Sequence, residues 1–213
     1  MKDYQKIFIQ LAIESKSLSF GEFKLKSGRV SPYFFNSGTI FSGKNISRLG
    51  KCYAAAITES GLTFDMMFGP AYKGIGLAHA TAIALVEQHG IDIPIAYNRK
   101  ESKDHGESGR LVGAPLSGDV LIIDDVITAG TAIRESIDII EENSAITKGI
   151  IIALDRQERG VSSRLSATEE IKSTYKIEVK SIINLDDLVE YFSGLGGDTG
   201  HKIKNYREQY GVN

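Results

Sequence analysis

An α/β domain is the fold class this sequence predicts, on three observations. Apolar runs too continuous for a strand with one wet face recur along the chain, at Met66-Met67-Phe68-Gly69, Val120-Leu121-Ile122-Ile123 and Gly149-Ile150-Ile151-Ile152-Ala153-Leu154. Such runs read as strands buried on both faces. After the first two, the chain passes a small-residue turn and enters an apolar stripe of helical spacing. That stripe is Leu77, Ala80, Ile83 and Ala84 in one case and Ile133, Ile137 and Ile140 in the other. Finally, 213 residues with 42% hydrophobic content can bury a sizeable core, and a single domain of this length is ordinary.

Taken in order, Tyr4, Ile7, Phe8 and Leu11 share one face of a first helix. Alternation of Phe23 and Leu25 with Lys24 and Lys26 predicts a hairpin tipped by Ser27-Gly28, continuing through Ser31-Pro32-Tyr33-Phe34-Phe35-Asn36. Its lysines and paired aromatics suit a lid or pocket wall for a planar anion, although Phe34 and Phe35 could equally be packing residues. A helix from Ile46 to Ile57, ending near Ser60, carries the single cysteine, Cys52, as a small core residue. The strand 66–69 leads through Pro70-Ala71-Tyr72-Lys73-Gly74 into a helix reaching Gln88, with His79 and His89 as surface or packed histidines. Ile91 to Asn98 reads as the next strand.

The segment from Arg99 to Arg110 has seven charged residues of twelve, two glycines and no aliphatic side chain, so it is expected as a mobile surface loop. Its place straight after a strand, with four cations and a histidine, argues for a lid over a polyanion. Beyond the strand 149–155, Arg156 stands where its planar fork could clamp a carboxylate. A helix over 163–175, a strand over 177–183, a helix over 185–192, a flexible loop over 194–200 and a polar helix over 201–210 complete the chain.

The chemistry concentrates between Val120 and Ala132. A buried strand ends in Asp124-Asp125, and Val126-Ile127-Thr128-Ala129-Gly130-Thr131-Ala132 turns into a helix. Backbone N–H groups at a helix start attract phosphate, and Gly130 permits close approach. The carboxylates upstream need hydroxyls or a cation to face. A ligand with a phosphate at one end and a ribose diol at the other meets both demands. No G-x-x-x-x-G-K-[ST] occurs, and His79 stands where a dinucleotide fingerprint wants its third glycine, so kinase and Rossmann readings drop away. The net charge of −2 provides no bulk attraction to nucleic acid or an anionic membrane. One cysteine, no signal-peptide core and no apolar run near the ~18 residues of a membrane span predict a cytoplasmic protein.

The stretch 120–132 resembles the phosphoribosyl-pyrophosphate (PRPP) motif of type I phosphoribosyltransferases. Five further segments (Phe23 to Arg29, Ser31 to Asn36, Gly69 to Ile75, Arg99 to Gly106 and Leu154 to Glu158) extend the likeness to the bacterial orotate phosphoribosyltransferases over essentially the whole chain. The resemblance implies a type I phosphoribosyltransferase fold. That fold has a mainly parallel central sheet flanked by helices, all in one domain over 1–213. Residues of about 1–40 and C-terminal segments would form a small hood, and 99–113 a mobile catalytic loop. It implies transfer of phosphoribosyl from PRPP to orotate, giving orotidine 5′-monophosphate and pyrophosphate in pyrimidine biosynthesis, with Mg²⁺ held mainly through PRPP and not by a protein cage.

By position, Asp124 and Asp125 would hold the ribose hydroxyls and Ala129 to Ala132 the 5′-phosphate, within a PRPP-binding run 124–132. Tyr72, Lys73, Arg99, Lys100, Lys103 and His105 would contact pyrophosphate, some from the partner of a homodimer whose loops are shared. Lys26 would reach PRPP and, with Phe34, Phe35, Thr128 and Arg156, the orotate side. Lys103, Asp125 and His105 would be the catalytic groups, with the choice between Asp125 and Lys103 as proton carrier left open. Gly76 and Ser108 stand where the family pattern has Pro and Gly, and neither change removes a chemical group. A purine-type transferase would give no reason for Lys26 and Arg156. A PRPP-sensing regulator would carry a basic surface or an added domain.

Overall fold

The computed structural model describes residues 1–101 and 110–212. In chain order its elements are α1 (Asp3–Glu14), β1 (Leu18–Lys24), β2 (Val30–Phe35), a 3-10 turn (Ser37–Thr39), α2 (Gly43–Ser60), β3 (Met66–Gly69), α3 (Lys73–His89), β4 (Ile95–Asn98) and β5 (Leu111–Gly113). They continue with β6 (Asp119–Asp124), α4 (Thr131–Glu142), β7 (Ile146–Asp155), α5 (Ala167–Tyr175), β8 (Glu178–Asn184), α6 (Leu185–Leu195) and α7 (Asp198–Tyr210).

The central sheet runs β5-β4-β3-β6-β7-β8, and every neighbouring pair is parallel except β4–β5. Strand alternation sends Leu121, Ile123, Ile151 and Ala153 into one core and Val120, Ile122, Ile150 and Ile152 into the other. That is why the sequence reads as unbroken apolar runs. The first core also takes in α1, α2, α3, α6 and α7, and the second α4 and α5. From β3 the chain crosses to β4 on one side, and from β6 to β7 on the other. The carboxyl ends of β3 and β6 therefore meet at a topological switch point, the crevice where α/β sheets bind ligands. Close packing there depends on two glycines: a Cβ on Gly69 would lie 2.4 Å from the Gly74 carbonyl oxygen, and one on Gly74 2.8 Å from that of Ile123.

A separate two-stranded sheet, β1–β2, is the expected hairpin, with Leu18 opposite Phe35 and Lys24 opposite Val30. Several boundaries differ from the sequence reading. On α1 the buried stripe is Phe8, Ile9, Leu11 and Ala12, and Ile7 is turned outward, because the helix packs on both α2 and β8. On α3, Ala78, Ala82 and Leu85 are buried while Ile83 is exposed. Strand β4 begins only after Pro94, which has no N–H to give the ladder, though its carbonyl still accepts from the Met67 amide at 3.0 Å. The expected helix 163–175 starts at Ala167, where the Ser166 hydroxyl accepts from the Glu169 amide and the Glu169 carboxylate from the Ser166 amide. The expected loop 194–200 shrinks to Gly196-Gly197, as Asp198 already opens α7. The short edge strand β5 was not anticipated; three residues carry too little pattern.

Candidate active site

Asp124 is the last residue of β6 and Asp125 the first beyond it, and both are buried. Consecutive residues at a strand end diverge, and the two carboxylates have different surroundings. Oδ2 of Asp125 accepts from the Ser37 hydroxyl at 2.6 Å and from Lys73 Nζ at 2.7 Å, and its Oδ1 accepts from the Val126 amide at 2.9 Å. Among the described residues, Asp124 Oδ1 accepts only the next amide, at 2.9 Å, with no cation in contact. Burial, reinforced by the neighbouring Asp125 charge, pushes the Asp124 carboxyl from 3.8 up to about 7. The loop carrying the pair is pinned from both sides. The Tyr53 hydroxyl donates to the Asp124 carbonyl at 2.7 Å, and the Asp125 carbonyl accepts from Ala153 at 2.9 Å.

Lys73 arrives from the first turn of α3, and Nζ also lies 3.4 Å from Asn36 Oδ1. The turn before it is held by the Ala71 amide donating to Asn98 Oδ1 at 2.8 Å. Tyr72 is exposed, with Lys100 Nζ 5.5 Å from its ring centre. Arg99 donates its amide to the Arg110 carbonyl at 2.7 Å. Lys103 and His105, like Ser108, lie outside the described residues. Gly76 has open space where a Cβ would stand.

The turn between Asp125 and α4 leaves the start of that helix open. Gly130 caps α4 with φ 73°, a left-handed conformation suited to glycine, and no side chain bonds the helix's first amides. Thr128, Ala129, Thr131 and Ala132 are exposed, so those amides face an open surface. Val126 is half-buried, and Ile127 packs into the second core, leaving its backbone to the site. Arg134 Nη1 donates to the Ala129 carbonyl at 2.8 Å and closes the turn from the helix side.

On the hairpin side, Lys26 is exposed in the tip, and Phe34 is exposed and stacked on Phe23 with ring centres 5.5 Å apart. Phe35 differs from the expectation. As its neighbour on a strand it points the other way, into the core against Phe8, so it offers only its backbone. Arg156 is half-buried, lies 4.9 Å over the Tyr33 ring, and donates from Nε and Nη2 to Glu158 Oε1 at 2.9 and 2.5 Å. Sequence reasoning gave no role to Ser37, Tyr53 and Asn98, isolated polar residues with no local signature, nor to Asn36 and Glu158, which end two of the quoted segments.

Among the described residues no three His, Cys, Asp or Glu side chains gather into a cage, and none of the helices is long and apolar enough to cross a membrane. Asp124 and Asp125 are too few for a cage and could serve only a metal that brings most of its ligands on a substrate.

The phosphoribosyl transferase domain model matches residues 36–184. The orotate phosphoribosyltransferase of Thioalkalivibrio sulfidiphilus is 58% identical over 214 residues, covering 100% of both chains. That of Vibrio cholerae is 52% identical, again covering 100% of both. The crystal structure of orotate phosphoribosyltransferase from Francisella tularensis superposes with a TM-score of 0.88 at 41% identity, covering 97% of this chain and 100% of that one.

Proposed function

The chain belongs to the orotate phosphoribosyltransferases of the type I family and transfers phosphoribosyl from PRPP to orotate in pyrimidine biosynthesis, and from that premise we propose which of its groups do the work. The observation that carries the assignment is the Asp124-Asp125 pair beside the open helix start of α4, with Lys73 across the crevice. The α4 amides and Thr131 take the 5′-phosphate, and Asp124 and Asp125 accept from the ribose hydroxyls. Tyr72, Lys73, Arg99, Lys100, Lys103 and His105 hold the pyrophosphate.

As the bond from ribose C1 to pyrophosphate lengthens and orotate nitrogen approaches, positive charge builds on the ring and negative charge on the leaving group. The fixed carboxylates under the ring and the cations around pyrophosphate stabilise that separation. Mg²⁺, entering on PRPP, supplies further charge neutralisation at the pyrophosphate. Lys26, Phe34, Thr128, the Phe35 backbone and Arg156 form the orotate side. Arg156→Ala should raise the orotate KM strongly, for a loss of about 2–5 kcal/mol, with little change for PRPP. Steady-state kinetics showing equal losses for both substrates would refute this role.

The working unit we propose is a cytoplasmic homodimer. An exposed stripe of Tyr72, His79, Ile83 and Val86 on one side of α3 supports it, as does exposed Phe41. The segment from Arg99 to Arg110, at ~3.3 Å per extended residue, is long enough to serve the neighbouring site. Asp125→Asn and Lys103→Ala would then damage different halves of one shared site. Mixing the two inactive proteins under subunit exchange should restore up to about half of the activity per hybrid dimer, one of its sites carrying neither defect. No recovery after verified exchange means the segment acts on its own subunit.

A further inference from the structure

We propose that Glu158 is the positioning residue that aims Arg156 at the carboxylate of the base, an inference that rests on the orotate role given to Arg156 above. A guanidinium presents five N–H donors in a rigid plane. In Arg156 the Nε edge is already taken: Nε–H and one N–H of Nη2 both go to Glu158 Oε1, at 2.9 and 2.5 Å. Among the described residues Nη1 has no acceptor, so the end formed by Nη1 and Nη2 is the fork left open. That end can bind a second carboxylate bidentately. Glu158 thereby fixes which edge of Arg156 faces the site and removes the choice of a side-on approach.

The surroundings hold this arrangement from behind. The guanidinium lies 4.9 Å over the Tyr33 ring, and Tyr206 meets Tyr33 edge to face with ring centres 6.1 Å apart. Glu158 does not hang on a free loop: it forms a β-bridge with Gly211, and the flanking amides of Arg159 and Val212 bond to the carbonyls of Tyr210 and Gln157 at 2.9 and 2.8 Å. Gln157 takes a left-handed φ of 48°, which carries the chain round between Arg156 and Glu158. The buried Tyr33 hydroxyl has no hydrogen-bond partner among the described residues, although its ring lies under the Arg156 guanidinium, and the Tyr206 hydroxyl lies beside both Arg156 and Glu158. A cluster optimised for stability alone would satisfy or omit the Tyr33 hydroxyl. Each of these features keeps Arg156 in one pose, which is what a carboxylate clamp requires.

The test is kinetic, with both substrates varied and thermal stability measured in parallel. Glu158→Ala should raise the orotate KM about tenfold to a hundredfold, the usual effect of losing an orienting partner, with the PRPP KM within twofold. Glu158→Gln keeps an acceptor oxygen in place and should recover most of that loss. Added to Arg156→Ala, the Glu158→Ala change should cost nothing more for orotate, since there is no longer a guanidinium to aim. An orotate KM that stays put or falls in Glu158→Ala, while Arg156→Ala raises it, overturns the inference and leaves the Arg156 assignment standing. Equal losses for both substrates, recovered by neither conservative change nor stabilising conditions, would make Glu158 a structural residue only. If Arg156→Ala itself spares orotate, the assignment beneath the inference fails first.

Discussion

Asp125→Asn should lower turnover by about 10²–10³-fold while the protein stays folded. The asymmetry between those two outcomes follows from who shares the carboxylate. Oδ2 receives a hydroxyl from Ser37 and an ammonium from Lys73, and Oδ1 receives the Val126 amide. An amide side chain keeps the shape and one acceptor but cancels the negative charge and points an N–H₂ at donors. The Lys73 side chain is 50% exposed, so water takes over the ammonium and the fold loses little. The reacting ribose has no such substitute. A preorganised charge in a buried site is worth most where positive charge develops. Pyrophosphate release measured beside circular dichroism decides it. A folded variant retaining more than a tenth of wild-type turnover would remove Asp125 from the catalytic role.

Asp124→Asn should make the ligand-free protein more stable above neutral pH by about 2–4 kcal/mol, while impairing the reaction. The Asp124 carboxyl is pushed up to about 7 by burial and by the charge of Asp125. In the unfolded chain it titrates near the ordinary 3.8. Between those values the native state holds a proton that the unfolded state has released, so stability falls as pH rises from about 4 to 7 and stays low above it. Asparagine, neutral throughout, escapes the loss. Chemical denaturation at pH 5 and pH 8 should show wild type and variant converging at the lower pH and separating at the higher. Equal stabilities at pH 8 would mean the carboxylate is not destabilised. In the same assay Mg²⁺ alone should leave the wild-type midpoint unchanged, and Mg²⁺ with PRPP should raise it. A rise with Mg²⁺ alone would contradict metal entry on the substrate. The carboxylate is thus held at a cost to stability, as functional groups often are.

The half of the candidate site proposed for phosphoribosyl was legible because one continuous stretch builds it. The apolar run 120–123, the acidic pair, Gly130 and the start of α4 are local in sequence, and each has a propensity or chemical signature of its own. What supports that stretch was not legible. Ser37 lies 88 residues from Asp125, and Tyr53 lies 71 from Asp124. A lone serine or tyrosine carries no mark of the partner that folding will bring. Phe34 and Phe35 show the same limit differently: both were visible as aromatics, yet only strand register assigns one to the open face and the other to the core. The Arg156–Glu158 pair was in plain view as two residues of one loop. Their contact depends on the left-handed Gln157 between them, which sequence does not announce.

The seam behind Arg156 bears on the order in which the protein assembles. Sheet β1–β2 packs on α7, Gln5 of α1 bonds to the Ile182 carbonyl and Asp187, and the Gly211 backbone bridges to Glu158. Tyr33 and Tyr206, on either side of that seam, are separated by most of the chain. Closing so long a loop carries a large entropic cost before any contact repays it, and topologies dominated by such contacts fold slowly. The phosphate turn, by contrast, needs only β6, α4 and their immediate neighbours. On a ribosome the turn before α4 can therefore form while α7 is still unmade, whereas the seam around Tyr33 and Tyr206 closes only with the final helix.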